Sequence, residues 1–232
     1  MSILDIVNKS RVVQSLDQGV TQARRLVFET TLHAFNQLPA VKKTRERVVS
    51  PAKGDVLEVA CGAGPNVDYY SDQVTRLTLT DAHEEMLAQA KNKLAGHNPL
   101  LKFDVACAVL RGENLPFNNE SFDTVILTFG LCSIPDPIRA LHEVVRVLRK
   151  GGNLLFLDHG RSPDPVVAKI QDWIDPLQVA LACGCHVNRA IKDLIIGSGL
   201  ELTKCQEYYF GEVPPLLGPQ LYFSEGKATK RL

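Results

Sequence analysis

The segment Val56 to Asn66 reads V-L-E-V-A-C-G-A-G-P-N, an apolar run that enters a turn carrying two glycines. Gly62 and Gly64 give the backbone freedom and let the main chain approach a ligand closely. Pro65 suits the first helical position, and a helix opening there would aim unpaired N–H groups at whatever the turn holds. A second apolar run, Arg76 to Thr80, ends at Asp81, 19 residues past Gly62. A nucleotide-binding fold sets a carboxylate against ribose hydroxyls at roughly 20 residues past its glycines. Together the glycines and the acid imply an adenosine-containing ligand. Glu58 on the first run would repel a pyrophosphate but accept a hydrogen bond from an ammonium group, which favours an amino-acid-bearing nucleoside over a dinucleotide. S-adenosylmethionine fits that description.

Two later runs end in residues that could act on an acceptor. His159 follows Asp158, and its imidazole titrates in the range a general base needs; the same pair also reads as a hydrogen-bonded cap without chemistry of its own. Thr128 and Phe129 open a loop that continues to Cys132 and Ser133, where the thiol either lines a pocket or packs within the loop. His186, in C-G-C-H-V-N-R from Cys183 to Arg189, either enters the acceptor pocket or caps a turn. The spacing Cys183-x-Cys185-His186 is too short for a usual zinc cluster, so no metal is expected.

Strands and helices must hold these residues, and from Pro51 short apolar runs alternate with helical periodicity, as in a parallel sheet with crossover helices. The predicted strands are Asp55–Ala60, Arg76–Thr80, Leu101–Ala106, Phe122–Thr128 and Gly152–Asp158. The predicted helices are Asn66–Ser71, His83–Leu94, Asp136–Arg149, Asp164–Ala182 and Asn188–Ile196. Ile138, Leu141, Val145 and Leu148 should face the core from one of them, and Val167, Ile170, Trp173, Ile174 and Leu177 from another. Two last strands, Glu201–Phe210 and Gln220–Gly226, flank a proline-rich loop at Gly211–Pro219 and should pair antiparallel. The fold class expected is α/β: a Rossmann-like, seven-stranded, mostly parallel sheet with a C-terminal antiparallel hairpin and helices on both faces. Residues 1–50 read as a helical lead-in or lid, with Val12 or Val13, Leu16, Val20, Ala23 and Val27 at three- and four-residue steps, and residues 51–232 as the main domain. Lys42, Lys43, Arg45 and Arg47 suggest a solvated basic helix face.

These blocks resemble the class I S-adenosylmethionine-dependent methyltransferases over most of the chain after residue 50. Glu58 to Gly64 is similar to the family's glycine loop, Asp81 to its ribose acid, and G-E-N-L-P-F (Gly112 to Phe117) with S-F-D (Ser121 to Asp123) to the block before its fourth strand. H-E-V-V-R-V-L-R-K-G-G, His142 to Gly152, is similar to the helix and double glycine before its fifth. The resemblance implies S-adenosyl-L-methionine as cofactor. It implies Glu58 near the methionine amino group with Ala60, Cys61, Gly62 and Gly64 around it, Asp81 on the ribose with Ala82 and Met86 nearby, Gly112 and Glu113 beside the adenine, and Thr128 and Phe129 closing the site. His159 and Asp158 are its candidate catalytic pair. Two positions depart from the pattern. Ala60 replaces the loop's first glycine, which an extended backbone would accommodate, and Arg111 replaces an acid that accepts the adenine amino hydrogen, which leaves adenine to backbone groups near Leu110 and Gly112.

Within the superfamily the chain resembles ubiquinone and menaquinone C-methyltransferases and small-alkyl-thiol methyltransferases; L-C-S, the D-H pair, D-P at Asp175-Pro176, G-C-H-V-N-R and Q-L-Y-F-S-E-G are more similar to the second. The expected reaction is therefore methylation of a small, lipophilic acceptor, a thiol first, with quinone-precursor C-methylation or phospholipid-amine N-methylation as alternatives and a non-catalytic cofactor-binding protein as a further one. Composition agrees. With 26 basic and 26 acidic residues the formal charge is zero, so the electrostatic footprint of a nucleic-acid binder is missing. No run of roughly 20 apolar residues or signal-peptide pattern is present, and the scattered cysteines suit a reducing compartment. The expectation is a cytoplasmic or mitochondrial enzyme with a small-molecule acceptor, no nucleic-acid partner and at most peripheral membrane contact.

Overall fold

The computed structural model describes residues 26–27, 30–97, 103–211 and 221–232. The lead-in positions before residue 26, Leu101 at the predicted third strand, and Pro214-Pro215 and Gly218-Pro219 in the last loop lie outside the described residues. The strands are β1 (Gly54–Val59), β2 (Val74–Asp81), β3 (Asp104–Val109), β4 (Phe122–Thr128), β5 (Leu148–Gly160), β6 (Glu201–Tyr209) and β7 (Tyr222–Thr229). They form one seven-stranded sheet in the order β3-β2-β1-β4-β5-β7-β6. The pairs from β3 to β5 are parallel, whereas β7 runs antiparallel to both β5 and β6. This is the predicted architecture.

Helices cover both faces. Helix α1 (Pro39–Val49) and α2 (Glu84–His97) pack on one, α3 (Pro137–Val147) and α5 (Ile191–Gly197) on the other, and α4 (Pro165–Leu181) follows β5. Alternate residues of each central strand serve opposite layers, as the two-residue period of a strand requires. Leu57, Val59, Val125 and Leu127 meet Leu141, Val144 and Ile195, while Val56, Ile126 and Leu155 meet Val41, Val48 and Leu87. Residues 30–37 are also helical, and Phe35 packs against the second layer.

Several sequence expectations need correction. In place of the predicted helix Asn66–Ser71 there is a single 3-10 turn, Val67–Tyr69, and Tyr70 is extended. The face of α4 is rotated: Ile170, Trp173 and Leu177 are exposed, and Ala168, Gln171 and Asp175 are buried. The polar pair turns inward because its hydrogen bonds are met there. Gln171 accepts from Ser162 N at 2.8 Å and donates to Gly160 O at 2.9 Å, and Asp175 accepts from Val187 N at 2.9 Å. On α3, Ile138 is exposed and the buried stripe is Ala140, Leu141, Val144 and Val147. Arg45 is not on a solvated basic face. It is buried beneath α1, donating to Asn36 Oδ1 at 2.8 Å, Asn66 Oδ1 at 2.8 Å and Thr128 Oγ1 at 2.9 Å.

Candidate functional site

In open α/β sheets, ligands bind beyond the carboxyl ends of the strands where the strand order reverses. Here that point lies between β1 and β4, whose carboxyl ends carry the glycine turn and Thr128-Phe129. Ala60, Gly62 and Gly64 all take positive φ, at 55°, 55° and 75°. The backbone at Ala60 is therefore left-handed and not extended as its side chain would prefer. A Cβ placed on Gly62 would meet nothing within 4 Å, so its glycine serves the left-handed turn and leaves that side of the loop open. At Gly112 a Cβ would stand 3.0 Å from the Val59 side chain, so this glycine lets the segment after β3 lie close to β1.

Asp81 ends β2 and is brought to the glycine turn as expected. Its Oδ2 accepts from Gly62 N at 2.8 Å and its Oδ1 from His83 N at 2.9 Å. A carboxylate offers about four lone-pair sites, so acceptor capacity remains for a diol. Cys61 is buried behind this turn, which pushes its thiol well up. Ala82 is exposed and Met86 half-buried beside it. Glu113 is buried, with Oε1 3.0 Å from Arg111 Nη2. Leu110 N donates to Asp81 O at 2.9 Å and so ties the segment leading to Gly112 and Glu113 to β2. The positive-φ turn with its open Gly62 face and the carboxylate fixed beside it form a cradle that fits S-adenosylmethionine. The loop amides are largely satisfied within the turn, Gly64 N by Cys61 O and Val67 N by Gly64 O, so no helix N-terminus contributes.

Glu58 sits deeper than its expected contact with an amino group suggests. It is buried, accepts from Asn66 Nδ2 at 2.8 Å and takes a short hydrogen bond from the Tyr70 hydroxyl. Burial raises its carboxyl to about 7 despite those donors and the nearby Arg45 charge. Asn66 also donates to Thr128 Oγ1 at 2.8 Å, so Glu58, Asn66, Thr128 and Arg45 form one connected polar network under the turn. Burial lowers Arg45 to about 10. Its guanidinium also lies 4.8 Å from the Phe129 ring centroid. Asn66, Tyr70 and Arg45 were not among the expected site residues. Asn66 was detectable as the amide closing the glycine loop, but Arg45 lies in a different segment and gave no local signal.

On the acceptor side, Phe129 has φ 53° and packs against Phe35, with ring centroids 5.6 Å apart, and against Phe223 at 5.5 Å. Phe210 stacks on Phe223 at 5.1 Å, and His159 lies 6.4 Å from Phe129. Asp158 and His159 are both buried at the end of β5. The Asp158 carboxylate accepts from Cys132 N at 3.2 Å and His159 N at 2.9 Å, and burial raises it to about 6. His159 Nε2 stands 3.0 Å from Cys185 Sγ. Contact with Cys132 and with His159 holds the Cys185 thiol low, while its partner Cys132 is pushed up. His186 lies apart, with Nδ1 2.8 Å from Asp175 Oδ2.

A family model described as a methyltransferase domain matches residues 57–156. Over 210 residues the chain is 30% identical to the mitochondrial methyltransferase OMS1 of Saccharomyces cerevisiae, covering 84% of this chain and 42% of that protein. The chain thus spans less than half the length of that relative. It is 35% identical to a phosphatidylethanolamine N-methyltransferase of Cereibacter sphaeroides, over 67% of this chain and 74% of that protein. It is 32% identical to the thiol S-methyltransferase TMT1B of Rattus norvegicus, over 67% of this chain and 61% of that protein. Among solved structures, a methyltransferase-fold protein of Bacillus halodurans superposes with a TM-score of 0.64 at 19% identity, covering 83% of this chain and all of that one.

Proposed function

We propose that this chain, which belongs to the class I S-adenosylmethionine-dependent methyltransferases, methylates a small lipophilic acceptor and that the accepting atom is a thiol sulfur. The cofactor supplies an electrophilic methyl group on a sulfonium, and the remaining task of the protein is to align a nucleophile and exclude water. Asp81 holds the ribose, the turn at Ala60–Gly64 receives the amino-acid end, and Gly112 and Glu113 border the adenine. The observation that supports a lipophilic acceptor is the aromatic cluster at the end of β4, where the half-buried Phe35 and Phe129 rings pack over the buried Phe210 and Phe223. Similarity to TMT1B supports sulfur as the accepting atom.

Residues 1–50 act in this reading as a lid, with residues 164–189 as its second half. Phe35 and Arg45 support it, since both reach from the lead-in to the Phe129 ring, just past β4. His159 and Asp158 stand at the acceptor end, but His159 Nε2 is engaged with Cys185, and a proton-accepting role requires that contact to open. Among the described residues no helix is long and apolar enough to cross a membrane. The 74% coverage of the Cereibacter relative favours a second reading, in which the acceptor is a lipid amine. Incubation with labelled S-adenosylmethionine and a panel of alkyl thiols, quinols and phospholipid amines decides between them. Label in the thiols is the expected result, and transfer to amines or quinols alone refutes S-methylation.

A further inference from the structure

We infer that Cys132, His159 and Cys185 form a zinc-binding site. Their ligand atoms, two sulfurs and an imidazole nitrogen, all lie within 4.8 Å of one another, and all three residues are buried. They come from separate segments: the loop after β4, the carboxyl end of β5, and the turn after α4. The sequence spacing conceals the cluster, because Cys185 joins Cys132 and His159 and not its neighbours Cys183 and His186.

Each donor is fixed by the surrounding chain. The Asp158 carboxylate accepts from the backbone N–H of both Cys132 and His159. His186 N donates to Cys132 O at 2.9 Å, tying the turn that carries Cys185 to the loop that carries Cys132. Cys183 and Gly184 both take positive φ, at 51° and 91°, and turn the chain so that Cys185 points inward. Arg189 Nη1 donates to Leu131 O and Ile134 O at 2.5 and 2.6 Å and so holds the Cys132 loop on either side of the thiol. A site assembled before the metal arrives does not have to be ordered by it.

The chemistry of the donors selects the ion. Thiolate and imidazole suit zinc, and a Cys2His set leaves one tetrahedral position for water or another small donor. Zinc carries two positive charges and two thiolates cancel them, so with neutral imidazole the centre has no net charge and suits a buried location. The sulfurs bind as thiolates, and any proton still on them leaves to solvent. His159 then serves as a ligand through Nε2, not as a base.

The test uses the full chain, reduced with a phosphine, stripped with a chelator, reloaded with zinc chloride and passed through a desalting column. Elemental analysis should find zinc equimolar with protein, and cobalt(II) loading should give thiolate-to-cobalt charge-transfer bands with tetrahedral-intensity visible bands. Cys132→Ser, Cys185→Ser and His159→Gln should each weaken zinc binding by more than about 100-fold, since even outer-shell changes cost 10–100-fold. Cys107→Ser and Cys205→Ser should leave it unchanged. The cobalt spectrum of the unmodified chain needs no variant to fold. Protein that retains no zinc with all its thiols free overturns the assignment. So does a Cys132–Cys185 disulfide that persists after reduction, or binding lost equally in the two control variants.

Discussion

Burial holds the Glu58 carboxyl at about 7, against an ordinary 4.5, although Tyr70, Asn66 and Arg45 all favour its charged form. The folded value lies above the unfolded one, so the fold prefers the protonated acid. Its contribution to stability is complete below pH 4.5 and is lost as pH rises through 7. A shift of that size corresponds to about 3 kcal/mol. Denaturant unfolding of the native chain and of Glu58→Gln at both ends of this window should show the native chain losing about 3 kcal/mol relative to the variant. Parallel pH profiles would remove Glu58 as the source. Asp81 has a different task, to present acceptor oxygens at the loop. Replacing it with alanine should weaken S-adenosylmethionine binding by about 10- to 100-fold in calorimetry, the worth of a hydrogen bond to a charged group. An unchanged dissociation constant would count against the whole cofactor cradle.

The turn after β1 binds two elements together at some strain. Ala60 at φ 55° pays the penalty of a left-handed side chain, about 1–2 kcal/mol. Ala60→Gly should therefore leave the unfolding midpoint unchanged or raise it, where the same change in a regular helix or strand costs roughly 0.5–1 kcal/mol; a clear loss of stability would mean that the alanine methyl packs productively. Helix α1 is fastened to β4 through Arg45. Arg45→Met should cost about 2–3 kcal/mol in urea unfolding, because Asn66 and Thr128 lose a buried partner. The strands were legible because those buried on both faces read as continuous apolar runs, and the glycine turn and Asp81 because their spacing is local. The face of α4 was not, since apolar periodicity assigns Trp173 inward and cannot see that Gln171 and Asp175 find partners in the 160–162 and 186–187 segments. Arg45 was misread, and the contact of Cys185 with His159 was not visible, for the same reason: their partners are distant in sequence and met only through the topology.

For the molecule as a whole, zero net charge and a pI near 7.0 remove electrostatic repulsion between copies at neutral pH. Along α4, Val166, Ile170, Trp173, Leu177 and Leu181 add an exposed apolar stripe. Solubility should pass through a minimum near pH 7, and Trp173→Ser with Leu177→Ser should raise that minimum while changing stability by no more than about 0.5 kcal/mol. Precipitation assays across pH, with thermal unfolding beside them, check both halves; an unfolding midpoint that drops sharply would show that the stripe is packed. The sheet order bears on biosynthesis too. Strand β7 lies between β5 and β6, so β6 leaves the ribosome before the strand that joins it to the sheet has been made. Until residues through Thr229 emerge, β5 keeps an open edge along Asn153–Gly160. Nascent chains stalled within that interval should be the form that chaperones hold, because an unpaired strand edge invites pairing with another chain.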